Sequence, residues 1–234
     1  MQLFYLPQLP ESGDLDPEES GHAVRVLRKR VGDEILATNG RGTRFRTQLV
    51  EASPKRCRVE VMEAIPAQKP QPWLHLVVAP TKNLDRTEWW VEKAVEIGVR
   101  SIAFITTEHS ERKVLKLDRL ERKVVSAMKQ SLKDWLPAMQ PLLSWKEWLA
   151  DFDKNHPSYI AHLAGPETPH LFQTCQPHTE TTVLIGPEGG FSDEEVAQAQ
   201  DQGIAPVLLG SERLRTETAA VVAATTMALK NDLG

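Results

Sequence analysis

The sequence predicts an α/β protein: a mostly parallel sheet with helices on both faces, preceded by a small β-rich module. Three observations carry this. From about residue 73 onward, short apolar runs alternate with amphipathic segments of helix length. Before that point the pattern is one of strands and tight turns with a single helix. Between the two lies PAQKPQP, residues 66–72, whose three prolines and lack of apolar periodicity read as a stiff linker. The predicted domains are therefore 1–68 and 73–234.

In the first domain LFYL (3–6) reads as a strand. Asp16-Pro17-Glu18-Glu19 is a helix start, with Asp as N-cap and Pro at the first helical position. That helix is expected to carry Ala23, Val26 and Leu27 inward and Arg25, Arg28 and Lys29 outward. EILAT, the turn NGRG and TRFRTQLVEA form a predicted hairpin, and CRVEVMEAI a further strand with Val59 and Val61 alternating against polar neighbours. After the linker, WLHLVVA (73–79) is a buried strand, and LDRTEWWVEKAVEIG is a helix ending at Gly98. SIAFIT is a strand and LDRLERKVVSAMKQSLK a helix. Ser144 with Glu147 and Ser192 with Glu195 have capping-box spacing and mark two more helix starts. YIAHLA, TVLIG and APVLLG are short strands, and the last helix covers about Thr216 to Lys230.

Composition narrows the class. Of 234 residues, 41% are apolar and 26% charged, which suits a globular chain rather than a disordered one. The longest apolar run, AAVVAATTMAL (219–229), is too short to span a bilayer. The first residues lack the basic and apolar regions of a signal peptide, so a cytoplasmic protein is expected. Cys57 and Cys175 fit neither a disulfide framework nor a zinc site, and no metal is expected. Net charge is −4, but it is unevenly spread. Residues 22–58 hold ten basic and three acidic side chains, a local net of +7, whereas residues 71–234 hold 17 basic against 22 acidic. Such asymmetry suggests a polyanion bound mainly through the first module, or else a charge-rich solvated surface.

Two strand-to-helix loops carry the chemistry, IGPEGGFSDEE (185–195) and LGSERLRTETAA (209–220). In open α/β sheets ligands bind at the carboxyl ends of strands, near a topological switch point. Gly186, Gly189, Gly190 and Gly210 would let the backbone turn and approach a ligand closely, or serve only as turn residues. A phosphate loop needs an electropositive cradle, yet the first loop carries Glu188 and leads into Asp193-Glu194-Glu195. Neither GxGxxG nor GxxxxGK[ST] occurs. A neutral or cationic nucleoside-like ligand suits these loops better.

GPEGGFSDEE followed by LGSERLRTETAA resembles the paired C-terminal motifs of the bacterial small-subunit ribosomal RNA (uracil-N3)-methyltransferases, the RsmE family of the SPOUT class. HAVRVLR (22–28), WVEKAVEIGV (90–99) and KQSLKDWLP (129–137) extend the likeness over nearly the whole chain, in order. The resemblance implies an N-terminal PUA-like β-barrel for RNA and a C-terminal α/β domain tied in a trefoil knot. It also implies S-adenosylmethionine in the knot and a homodimer whose site is shared between subunits, acting on the assembled small subunit. General rules of chain connection predict an unknotted sheet instead.

Carried onto matching positions, the cofactor pocket comprises Leu163, Ala164 and Gly165, then Ile185, Gly186, Pro187, Glu188, Gly189 and Gly190. Leu209, Gly210, Ser211, Leu214, Arg215, Thr216 and Thr218 complete it, with Leu209 and Leu214 sandwiching adenine. Two positions depart from the family pattern: Ser211-Glu212 replaces a Pro-Arg-like pair, and Lys133 stands where arginine is more usual, losing its planar fork. Uridine N3 must lose its proton and face the methyl donor. Arg215 is the candidate for stabilising the resulting anion, or it forms an ion pair with Glu217 or Glu212. Glu188 is the candidate base, or it fixes the loop. RNA contact is assigned to Arg25, Arg28, Lys29, Arg30, Arg41, Arg44 and Arg46, with Lys82, Arg86, Arg112 and Lys113 nearest the active face. His22 reads as a helix-surface residue or, alternatively, a ligand-facing one, and Trp89, Trp90, Trp145 and Trp148 as core or dimer packing rather than base-stacking residues. The competing readings are a SPOUT ribose 2′-O-methyltransferase, whose second motif normally runs Ser-Leu-Asn-Val rather than LRTETAAVV, a non-catalytic RNA-binding or ribosome-assembly protein, and an enzyme with a phosphate-bearing cofactor.

Overall fold

The computed structural model describes residues 2–69, 74–163, 165 and 167–233. Ala164, Trp73 at the head of the predicted strand, and residues 70–72 of the linker lie outside the described residues. The chain divides into two compact units: residues 1–70 with 125–136, and residues 71–124 with 137–234.

The first unit is built on a four-stranded sheet of order β1-β2-β3-β4: β1 (Leu3–Tyr5), β2 (Glu34–Thr38), β3 (Thr43–Ser53) and β4 (Arg56–Pro66). β1 runs parallel to β2, and the other pairs are antiparallel. Register shifts between Arg46 and Thr47 and between Leu49 and Glu51 interrupt the β3–β4 ladder, as bulges do. Phe4, Leu9, Phe45 and Leu49 are the large side chains of its core. Val59 joins them, but Val61, two residues on in the same stretch of register, lies 39% exposed.

Asp16 caps α1 (Pro17–Gly21) as its sequence predicts, its carboxylate accepting the Glu19 N–H at 2.7 Å. The helix then widens into a π-helical turn, His22–Val26, closed by the Leu27 N–H bonding the His22 carbonyl. The wider turn changes the phase of the inward face. Ala23 remains buried and Leu27 packs on the core, but Val24 takes the expected place of Val26, which is 65% exposed.

Residues 125–136 seat the tight turn between β2 and β3. Gly42 N–H donates to the Asp134 carbonyl and Leu136 N–H to the Gly40 carbonyl, both at 2.8 Å. Arg44 Nε meets the Asp134 carboxylate at 2.9 Å. Gly42 has φ +86°, and a Cβ there would lie 2.1 Å from the Trp135 ring, so only glycine fits.

The second unit carries a six-stranded, all-parallel sheet of order β10-β8-β9-β5-β6-β7. Its elements are β5 (Leu74–Val78), α2 (Leu84–Ile97), β6 (Ser101–Thr106), α3 (Leu117–Gln130), β7 (Ala138–Ser144) and α4 (Trp145–Ala150), followed by β8 (Ser158–Ala161), α5 (Leu171–Thr174), β9 (Thr181–Ile185), α6 (Asp193–Asp201), β10 (Ala205–Val207) and α7 (Thr216–Leu233). The second half of α3 groups with the first unit. α3 ends three residues before its predicted end, where Leu132 adopts φ +55°. Gly98, at φ 127°, ends α2, and both predicted capping boxes form, at Ser144–Glu147 and Ser192–Glu195.

β7 and the single-turn α5 are not predicted from sequence. β7 contains Pro141 and lacks a buried face, features an edge strand tolerates because one side of its backbone needs no ladder partner. Trp90 is fully buried, and Trp145 and Trp148 stack in the core beside Phe191 and Phe152, while Trp89 is 48% exposed.

From β5 the chain moves one way, to β6 and β7, then crosses to β8, β9 and β10 on the other side. The carboxyl ends of β9 and β5 therefore flank the switch point of the sheet.

Candidate active site at the carboxyl edge of the sheet

Three adjacent strands, β10, β8 and β9, deliver the predicted pocket residues to one edge. At the end of β9, Ile185 and the following Gly186 and Pro187 are buried. The Gly190 N–H closes a turn on the Pro187 carbonyl at 2.9 Å, with Gly190 at φ +77°. A Cβ on Gly189 would lie 2.8 Å from His109 Cβ, so the loop is held close to the segment after β6. His109 Nδ1 is 3.2 Å from the Gly190 carbonyl. Phe191 turns back into the core against Trp145.

After β10 the chain behaves differently. Leu208 is held on both sides, its N–H to Pro169 and its carbonyl to Leu171. From Leu209 to Leu214, by contrast, the main chain makes no hydrogen bond among the described residues. Leu209, Gly210 and Leu214 are half-buried, and a Cβ on Gly210 would meet nothing within 4 Å. After β8, Leu163 is exposed, and Gly165 exchanges hydrogen bonds with Thr168 and also faces open space. Half-buried leucines, unpaired peptide groups and open space beside two glycines form a cradle for a flat, uncharged ring with donors and acceptors at its edge. The donor set fits an adenosyl group and lacks the cationic nest of a phosphate site.

Thr216 locks two of these loops together. It is buried at the start of α7, and its hydroxyl donates to the Gly186 carbonyl at 3.0 Å. Thr218, Ser211 and Glu212 are exposed. Arg215 is exposed and forms no ion pair among the described residues, whereas Glu217 is buried and lies 3.5 Å from Arg86. The expected alternative pairing of Arg215 with Glu217 or Glu212 is therefore not formed.

Glu188 ties the β9 loop to the β5 loop, its carboxylate accepting the Lys82 N–H at 3.1 Å. Arg112 clamps the same segment through the Thr81 and Lys82 carbonyls, at 3.0 and 2.5 Å. Lys82 Nζ pairs with Glu111 at 2.7 Å, and that hydrogen bond, with the charges of Glu111 and then Glu188, holds its ammonium pKa above the usual lysine range. No local signal in the sequence marks the Arg112 clamp, since its acceptors lie some thirty residues earlier.

The cations expected to touch RNA divide into two sets. Arg41 donates to the Pro7 and Leu9 carbonyls, Arg44 pairs with Asp134, Arg46 pairs with Glu34 and Glu63, and Lys29 reaches the Glu34 carbonyl. The side chains of Arg25, Arg28, Arg30 and Lys113 make no such contact among the described residues. Lys133 is half-buried, and burial pushes its pKa down.

The family model described as "RNA methyltransferase domain" matches residues 67–228, and "RNA methyltransferase PUA domain" matches residues 15–62. The chain belongs to the RNA methyltransferase family. The family member ribosomal RNA small subunit methyltransferase E of Mesomycoplasma hyopneumoniae is 30% identical over 181 residues, covering 74% of this chain and 77% of that protein. Among solved structures of the family, a probable rRNA-methyltransferase from Porphyromonas gingivalis has 40% identity and a TM-score of 0.93, covering 99% of both chains. Ribosomal RNA small subunit methyltransferase E from Neisseria gonorrhoeae, bound to S-adenosyl methionine, has 27% identity and a TM-score of 0.88 over 100% of both chains. The family's two matched segments correspond to the two predicted kinds of structure, a PUA-like module followed by a parallel α/β sheet.

Proposed function

We propose that this chain transfers a methyl group from S-adenosylmethionine to N3 of a specific uridine in small-subunit ribosomal RNA. The observation that carries the reading is the cradle of three loops on adjacent strand ends, with a main chain from Leu209 to Leu214 that makes no hydrogen bond among the described residues. The names of the relatives support it.

Leu209 and Leu214 would hold the adenine ring, with main-chain groups of Leu163, Ala164, Gly165, Ile185 and Gly210 reading its edge. When bound, S-adenosylmethionine supplies an electrophilic methyl on a sulfonium. The chain must supply the rest. Neutral uridine is a poor nucleophile at N3, so the proton has to leave and the charge spreading onto O2 and O4 has to be met. Arg215, exposed and without an ion pair among the described residues, is assigned to that charge. Glu188 is assigned to the proton: one oxygen is fixed by the Lys82 N–H, which orients the other.

The trefoil knot belongs to this proposal. Its support is that α7 starts against the β9 loop through Thr216 and packs on α2, α5, β5 and β9. A cytoplasmic homodimer acting on the assembled subunit completes the reading, and the exposed Leu229 and Leu233 of α7, with the exposed Phe172 under Lys230, support the dimer.

The test is incubation with S-adenosylmethionine and unmodified small ribosomal subunits, followed by nucleoside mass spectrometry. The expected product is 3-methyluridine. A 2′-O-methylated nucleoside would transfer the case to a ribose methyltransferase, and no product on subunits that a control enzyme modifies would favour a non-catalytic RNA-binding protein.

A further inference from the structure

Within the first unit, the residues around His22 and the second half of α3 line an open cavity of about 510 Å³ whose lining side chains are polar except for Leu3. The two segments lie more than a hundred residues apart in sequence. One wall carries Gln2 and His22, the other Ser126, Lys129 and Gln130. We propose that this cavity receives an unpaired nucleobase of the RNA substrate. The proposal rests on the methyltransferase reading above and adds a base-reading site to it.

The lining is preorganised for a base edge. Gln2 Nε2 and His22 Nε2 are hydrogen-bonded at 2.7 Å, and the His22 ring also packs at 57° against the buried Phe4, with centroids 6.2 Å apart. With one amide N–H so used, Gln2 keeps a donor and an acceptor side by side, the pattern that pairs with the edge of a base. The held imidazole offers a face for stacking. Gln130 and Ser126 add neutral donors and acceptors opposite.

Charge decides against a phosphate as the occupant. Glu19 is buried and ion-paired with Lys129, and burial outweighs that lysine in setting its carboxyl pKa above the usual range. Glu18 adds a second carboxylate to the lining, so the cavity holds two acids against one lysine. Such a surface repels phosphate and accepts hydrogen bonds from imino or amino groups. Three guanidiniums without a partner among the described residues, Arg25, Arg28 and Arg30, follow within eight residues of His22, and these would meet the backbone phosphates on either side of the inserted base.

The test measures equilibrium binding of unmodified small subunits across a salt series, with methylation kinetics on the same proteins. Two variants probe the cavity: Ser126→Phe, which fills it from an exposed helix position, and Gln2→Ala, which removes an exposed reading group without disturbing the core. Each is expected to weaken binding roughly tenfold or more, within the discrimination a base contact provides, while the salt slope is unchanged. KM for subunits should rise in parallel, with kcat and S-adenosylmethionine affinity retained. Arg25→Gln, by contrast, should lower the salt slope by about one. Binding by both cavity variants within twofold of wild type overturns the proposal. A fall in their salt slope also overturns it, since that would mark a phosphate contact. Wild-type protein that binds subunits but makes no methylated nucleoside would defeat the methyltransferase reading and leave the cavity result to be judged by binding alone. Wild-type protein that does not bind subunits defeats both.

Discussion

Arg215 and Thr216 are neighbours with opposite environments, and that contrast sets their expected behaviour. Arg215 is exposed and forms no ion pair among the described residues, so its removal leaves the core packing intact. Arg215→Ala should leave the fold and the calorimetric affinity for S-adenosylmethionine intact while methyl transfer falls by two orders of magnitude or more, the scale of a lost charge-stabilising donor. Equal loss of binding and transfer would refute the assignment. Thr216 is buried, and its hydroxyl satisfies the Gly186 carbonyl. Thr216→Val keeps the volume and orphans that acceptor. The expected cost is about 1–3 kcal/mol of stability, read by denaturant unfolding, with weaker cofactor binding because two loops lose their tie. At this scale the sequence was most informative: the paired glycine loops mark the edge on which Ile185 to Gly190 and Leu209 to Thr218 converge. It could not show that Glu188 is anchored by Lys82 N–H or that Arg112 serves the β5 loop, because those bonds join residues 106 and about 30 positions apart.

Among the elements, capping chemistry was legible and phase was not. Ser192 and Glu195 form their reciprocal box at the head of α6, directly after the β9 loop. Ser192→Ala should cost about 1 kcal/mol in an unfolding titration, with a value near zero contradicting the cap's role. Val26 shows the limit. A 3.6-residue period places it inward, but the turn from His22 to Val26 is π-helical and turns it to solvent. β7 was illegible for a related reason, since an edge strand with a proline has neither the alternation nor the apolar run that marks a strand.

The amino ends of the strands make a pH prediction. His75 on β5 bonds Ser101 and Glu180 and stacks on His156, whose Nε2 meets the Thr182 hydroxyl at 2.7 Å. Burial and then the neighbouring His75 push the His156 pKa below its ordinary value of 6.5, against Glu180 and Asp153, which raise it. The folded protein therefore binds this proton less readily than the unfolded chain does. Stability from His156 is complete above the ordinary pKa and is lost as pH falls through the lowered one. His156→Gln should shrink the drop in Tm between about pH 7 and 5, and an unchanged drop would contradict the linkage.

Over the whole molecule, the order of elements and the division into a β-rich part and a parallel α/β part follow from apolar periodicity and one proline-rich stretch. The folding-back of residues 125–136 onto the first unit does not. Nothing in KQSLKDWLP itself announces that Asp134, Trp135 and Leu136 will seat the NGRG turn, because their partners, the Gly40 and Gly42 main chain and the Arg44 side chain, lie some ninety residues earlier. That seat is exacting. Gly42→Ala brings a Cβ onto Trp135 at a left-handed φ, and should destabilise by about 2 kcal/mol or more in unfolding experiments on the full chain. A stable Gly42→Ala protein would show that the segment can move away without cost.

The three loops at the carboxyl edge of β8, β9 and β10 are proposed as the cofactor site. Gly210→Val tests it most directly. Its backbone is not left-handed, and a side chain there would project into open space, so the variant should fold and melt as the wild type does. Titration calorimetry with S-adenosylmethionine should then show binding to the wild type and at least a hundredfold weaker binding to Gly210→Val. Equal affinity for both proteins would place the cofactor elsewhere and contradict the account.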